Sequence, residues 1–92
     1  MYLTPVKGTI DIIGIKIDII IDDTRLDLED ADGLYTGQTI ILRSQYDTIK
    51  EYLRVYRHEC IHALCDSLGI QLDHNLEEIL AHTISHMVTY DI

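Results

Sequence analysis

Two histidines and a glutamate with a particular spacing, His58-Glu59-Cys60-Ile61-His62, are the residues of this chain best suited to chemistry. Residues four apart on a helix stand nearly above one another, so His58 and His62 would present two imidazoles to one point. Glu59, rotated by roughly 100°, can reach a water held at that point. Two neutral nitrogen ligands and a carboxylate base beside the metal's water are what zinc hydrolysis requires. The bland alternative is an ordinary helix carrying two surface histidines and a surface glutamate. The neighbourhood favours the site: Val55 to Leu64 keeps charge out of the two positions between Glu59 and His62 and the two after His62. A helix whose ligands face a cleft must pack its other side into a core.

The elements that would position these residues follow from hydropathy patterning. Ile10 and Ile12, then Ile13, Ile15, Ile17, Ile19 and Ile21, alternate with a phase switch beside Gly14. Period two with a phase switch predicts two strands joined by a tight turn or bulge, with Lys16 and Asp18 facing solvent. The acidic stretch from Asp22 to Gly33 is expected to be a solvated loop. It is no EF-hand, because Leu28 stands where a calcium loop ending its turn at Gly33 needs an acidic residue. Leu34–Tyr35 and Thr39–Leu42 resume strand character around Gly37. Asp47 is the expected N-cap of a long helix whose apolar residues Ile49, Leu53, Tyr56, Cys60, Ile61, Leu64 and Leu68 keep helical spacing up to Gly69. A last helix is expected from Leu76 to Val88, capped by Asp73 or Asn75. Strands followed by helices give a small α+β domain: a mostly antiparallel N-terminal sheet, the long HExxH helix, and a C-terminal helix carrying glutamate.

The 92 residues make one domain, 1–92, with a modest core of Ile, Leu and Tyr, since Trp and Phe are absent. The net charge of −9 is carried with only 7 scattered Lys and Arg. An acidic surface argues against nucleic acid or a membrane surface as partner, and leaves a peptide or protein substrate. No signal-like or membrane-spanning pattern is present, and Cys60 and Cys65, five apart on one helix, point to different faces. They read as buried thiols of a cytoplasmic protein.

Catalytic zinc takes three protein ligands and leaves a position for water. Cys65 and Leu68 stand where a metzincin would have Gly and His, which excludes that class. Asp66 lies on the ligand face one turn beyond His62 and is better placed to orient a ligand than to join it. The remaining candidates are His74, Glu77, Glu78, His82 and His86. On a wheel of the last helix, Leu76, Ile79, Leu80, Ile84 and Met87 define an apolar face expected to pack. Glu77 flanks that face, and Glu78, His82 and His86 form a polar stripe opposite it. The stripe is either a solvated face or the third side of a metal site. The HExxH run favours the second, with Glu78 ahead of Glu77.

HExxH followed by a glutamate on a later helix resembles the gluzincin metallopeptidases, and Glu78-Ile79-Leu80-Ala81-His82 is similar to their glutamate helix. Small size and a strand-rich N-terminus also resemble compact single-domain gluzincins and the phage and bacterial ImmA/IrrE-like metallopeptidases. The resemblance is carried by residues 55–64 and 76–84. It implies Zn²⁺ held by His58, His62 and Glu78, with Glu59 as general base. Many gluzincins carry an acidic residue four after the ligand glutamate to orient a histidine ligand. His82 stands there in this chain, so the contact is lost or passes to another group. Tyr35, His82, His86 and Tyr90 are candidate donors to the transition state, and Thr39–Leu42 is either the cleft-edge strand or a plain core strand. Two other readings compete. One is a non-catalytic or latent binding or inhibitory protein on the same scaffold, whose tail Val88–Ile92, with Asp91, covers the metal. The other is a structural zinc domain, which the His₂Glu set disfavours.

Overall fold

The computed structural model describes residue 5, residues 7–70 and residues 74–87. Its elements are β1 (Gly8–Ile12), β2 (Ile15–Ile21), α1 (Asp23–Glu29), β3 (Gly33–Thr36), β4 (Thr39–Leu42), α2 (Ile49–Ser67) and α3 (His74–Met87). The sheet runs β1-β2-β4-β3. β1 pairs antiparallel with β2 and β3 with β4, while β2 and β4 are parallel. The fold is α+β with a mixed, mostly antiparallel sheet.

Each hairpin turns on two residues with positive φ, Ile13 and Gly14 in the first, Gly37 and Gln38 in the second. Such two-residue turns match the twist of the strands they join. The parallel pair β2–β4 cannot be closed by so short a loop and needs a crossover. That crossover contains α1, so the segment from Asp22 to Gly33 is not the solvated loop its composition predicts. Its carboxylates have partners: Asp22 caps the helix by accepting from the Arg25 amide at 3.1 Å. Asp23 accepts from the Ser44 amide and hydroxyl, and Asp27 from Arg43 at 2.8 Å. Leu26 is fully buried while Leu28 stays exposed. A single inward residue is too little periodicity to announce a helix.

Alternation along the strands sends Ile17, Ile19, Ile40 and Leu42 into one cluster with Tyr46 of the β4–α2 loop and Val55 and Ala63 of α2. Ile41 is buried on the other face of the sheet, where α1 lies against β4. α2 begins one residue later than predicted: its N-cap is Thr48, whose hydroxyl accepts from the Glu51 amide, rather than Asp47. Gly69 follows the C-cap at φ 68°, the left-handed position that ends a helix. α3 packs on α2 and includes Asn75, which is therefore no cap.

The face of α3 that packs is not the apolar one. Ala81 is fully buried and Glu77 and Glu78 are half-buried, whereas Leu76 and Ile79 are 58% and 61% exposed. The wheel's assumption of a helix held by Leu76 and Ile79 is thus overturned: α3 packs on α2 with Ala81 buried and with Glu77 and Glu78 on the two histidines.

Candidate metal centre

Adjacent stripes of α2 do different work. Val55, Glu59 and Ala63, at i, i+4 and i+8, are buried towards the sheet. One residue behind them runs a second stripe, Arg54, His58, His62 and Asp66, which passes β3 on one side and α3 on the other.

His58 Nε2 lies 3.4 Å from one carboxylate oxygen of Glu78, and His62 Nε2 lies 2.9 Å from the other. His58, His62 and Glu78 each offer a ligand atom within 4.8 Å of the others, and the group could hold a metal ion. Donors on a tetrahedral ion at about 2.0–2.1 Å stand roughly 3.4 Å apart, so the observed separations suit one small cation with minor adjustment. Burial holds the His58 imidazole below its ordinary pKa, against the opposing pull of Glu78. A neutral ring is the form that ligates.

Glu77, the alternative third ligand, has a different place. Its Oε1 lies 2.7 Å from Nδ1 of His62, on the far side of the ring from Glu78. With Nδ1–H donating there, Nε2 keeps its lone pair for a metal, and the ring is fixed in orientation. The contact that His82 could not supply four residues after Glu78 is supplied by the residue just before it. Sequence reasoning missed this because it treated the two glutamates as rivals. Consecutive helical residues differ by about 100°, which is enough to place them on opposite sides of one imidazole.

Glu59 is only 7% exposed. Burial, chiefly, pushes its carboxyl up to about 7; His62 pulls the other way, Glu78 adds to the rise, and the Tyr35 main chain lowers it. The closeness of β3 to this carboxylate depends on Gly33. A Cβ there would stand 2.5 Å from Val55 Cγ1 and 3.3 Å from Glu59 Cγ. Tyr46 fixes the strand's entry: its hydroxyl donates to the Asp32 carbonyl at 2.6 Å and accepts from the Arg43 amide at 3.0 Å.

Tyr35 reaches from β3 to the second stripe and donates to Asp66 Oδ2 at 2.6 Å. Burial and that carboxylate raise its hydroxyl to about 12. Asp66 therefore orients Tyr35 rather than a histidine ligand. Tyr35 joins Leu34, Glu59, His62, Glu77 and Glu78 around a cavity of about 210 Å³. His82 is exposed, its ring centroid 6.5 Å from that of His58. The side chains of His74 and His86, the residue Tyr90 and the tail Val88–Ile92 lie outside the described residues. Thr39–Leu42 is β4, paired on both sides by β2 and β3; it is a core strand, and the edge strand beside the site is β3. Cys60 and Cys65 are both free, half-buried and buried, and burial raises both thiols.

No described helix is long and apolar enough to cross a membrane. Compared with known proteins, the chain matches no protein-family model, no curated protein and no solved structure.

Proposed function

We propose that this chain is a zinc-dependent metallopeptidase of the gluzincin type, with a peptide or protein as substrate. The observation that carries the reading is a buried carboxylate, Glu59, beside three convergent metal-ligating groups. A cluster that served only to bind a metal, or only to join two helices, has no need of a further carboxyl in the dry wall next to it. Two imidazoles and one carboxylate form a donor set that zinc takes in hydrolases; the same set holds other divalent ions, and the buried carboxyl of Glu59 beside it is what favours zinc hydrolysis.

His58, His62 and Glu78 would hold the ion, with Glu77 fixing the His62 ring. Zinc in such a site supplies Lewis acidity, which lowers the pKa of water to about 7 and polarises a carbonyl. Glu59 would take the proton of the attacking water on its carboxylate and deliver it to the leaving amine. Burial raises the Glu59 carboxyl, and a cation held beside it would draw it back towards the ionised form that accepts a proton. An extended substrate would pair along the outer edge of β3, past Gly33 and Tyr35. Of the candidate donors to the carbonyl oxygen, Tyr35 has its hydroxyl committed to Asp66, and it would have to leave that contact to serve.

A second reading is a non-catalytic or latent binding protein. It is favoured by the direct contacts of Glu78 with both imidazoles, which join α2 to α3 by themselves. Metal analysis of purified wild type separates the readings when combined with a peptide-library cleavage assay. The enzyme should hold one zinc per chain, lose it when His58 and His62 are both replaced by Ala, and cleave peptides. Zinc retained in the double variant would remove the proposed site, and zinc-loaded protein without cleavage would favour the binding protein.

A further inference from the structure

Arg54 and Asp66 end the stripe that carries the two histidines, and their charges are used differently. Asp66 is taken up by Tyr35. Arg54, one turn before His58, is half-buried and makes no ion pair among the described residues. Two other arginines are paired: Arg25 with Glu29, and Arg43 with Asp27 and Asp32. In a chain of net charge −9, an uncompensated guanidinium in a concave wall is costly to leave without a counter-ion.

That wall belongs to a second cavity, about 170 Å³, lined by Asp32, Gly33, Arg54, Val55, His58 and Glu59. It shares Glu59 with the cavity that contains Tyr35 and Glu78, so the two hollows flank the proposed base along β3. Ligand sites for whole small molecules run to roughly 300–1,000 Å³; this hollow is the size of one short side chain. Two carboxyls share the hollow: Asp32 has the Arg43 guanidinium 3.9 Å away, and Glu59 also borders the cavity of His62 and Glu78, so Arg54 is the guanidinium of the hollow left to meet a ligand.

We infer that Arg54 makes this hollow a carboxylate subsite, so that the peptide bound along β3 carries an acidic group on one side of the bond presented to Glu59. The fork of a guanidinium pairs both oxygens of a carboxylate. The acidic group is either an Asp or Glu side chain or a C-terminal carboxylate. The inference rests on the peptide-binding role proposed above but not on turnover.

The test uses zinc-loaded Glu59→Gln protein and three labelled hexapeptides: one with a single Asp and an amidated end, its Asn counterpart, and the Asn peptide with a free C-terminus. At least one carboxylate-bearing peptide should bind about tenfold tighter than the amidated Asn peptide, the scale of one charge-assisted hydrogen bond. Which one does so identifies the source of the carboxylate. Adding Arg54→Gln should erase the difference, and Arg54→Glu should turn the preference towards a Lys peptide, with circular dichroism confirming that both variants are folded. Equal binding of all three peptides, no binding of any, or a preference that survives Arg54→Gln would overturn the inference. Cleavage of peptides without acidic preference by the wild type would leave the hydrolase standing and remove the subsite. Arg54-dependent binding with no cleavage of any peptide would do the reverse.

Discussion

α2 has two neighbours, and it is joined to them by opposite kinds of chemistry. Against the sheet it presents Val55 and Ala63 to Ile17, Ile19, Ile40 and Leu42, a dry contact of branched aliphatics. Against α3 it presents His58 and His62 to Glu77 and Glu78, a polar contact beside which Leu76 and Ile79 remain exposed. The first contact is non-directional and holds whatever is bound. The second is made of groups that would each rather be hydrated or bound to a cation. The sheet and α2 are thus the scaffold, and α3 is joined to it beside the site itself.

The largest expected effect lies on the apolar side. Leu42→Ala should cost about 2–5 kcal/mol, seen as a lower urea midpoint of the same size with and without metal. A zinc-dependent loss would mean that the two contacts are not separable. Next comes the proposed base between them, Glu59. Glu59→Gln should keep its zinc and lose about 10²-fold or more in turnover, and loss of zinc instead would make Glu59 part of the metal's support. On the polar side, Glu77→Ala should weaken zinc by about 10–100-fold, the usual range for a group that orients a histidine ligand. Glu77→Gln, whose amide oxygen can still accept from Nδ1, should weaken it less. Competition with a chelating dye reads both, and equal affinity in Glu77→Ala and wild type would show that His62 needs no orienting partner.

The smallest effect belongs to α1, whose polar contacts are not metal-directed. Hydrogen bonds from Ser44 hold the Asp23 carboxyl below its ordinary 3.8. Stability from this source is therefore complete above that value and is lost as pH falls through the lower folded value. Asp23→Asn should be slightly less stable than wild type at pH 7, and the gap in urea midpoints should close as the pH is lowered below the ordinary 3.8. A gap that persists at low pH would assign the effect to shape rather than charge.

How much of this was legible in the sequence follows the same division. Period-two isoleucines on either side of Gly14 and the helical spacing from Ile49 to Leu68 announce β1, β2 and α2, because an apolar contact writes itself as a repeat. A polar contact writes no repeat. α1 was hidden because its carboxylates bind Arg43 and Ser44, residues distant in sequence. For the same reason the leucines of α3 misled: they mark an amphipathic helix correctly, but hydropathy alone cannot say that the side bearing Ala81 and the two glutamates would be the one that meets α2. The edge position of β3 depends on strand order, which a parallel crossover changed. In the candidate site, His58 and His62 could be named from spacing; Glu78 was ranked first by an angle measured from a leucine face that does not pack, and the contact of Glu77 with His62 and that of Tyr35 with Asp66 required the helices and strand in place.

The three groups that could hold a metal all lie between residues 58 and 78, on helices next to each other in the chain. Closing so short a span has a modest entropic cost, whereas the sheet must bring β1, β2 and β4 into register across a crossover. The order of events in folding is therefore open to metal. An ion captured by the C-terminal pair of helices would draw them together before the strands assemble, making a ligand of the finished fold an early folding template. Stopped-flow refolding with and without zinc would register it as a metal-dependent fast phase, seen in helical circular dichroism ahead of any change in tyrosine fluorescence.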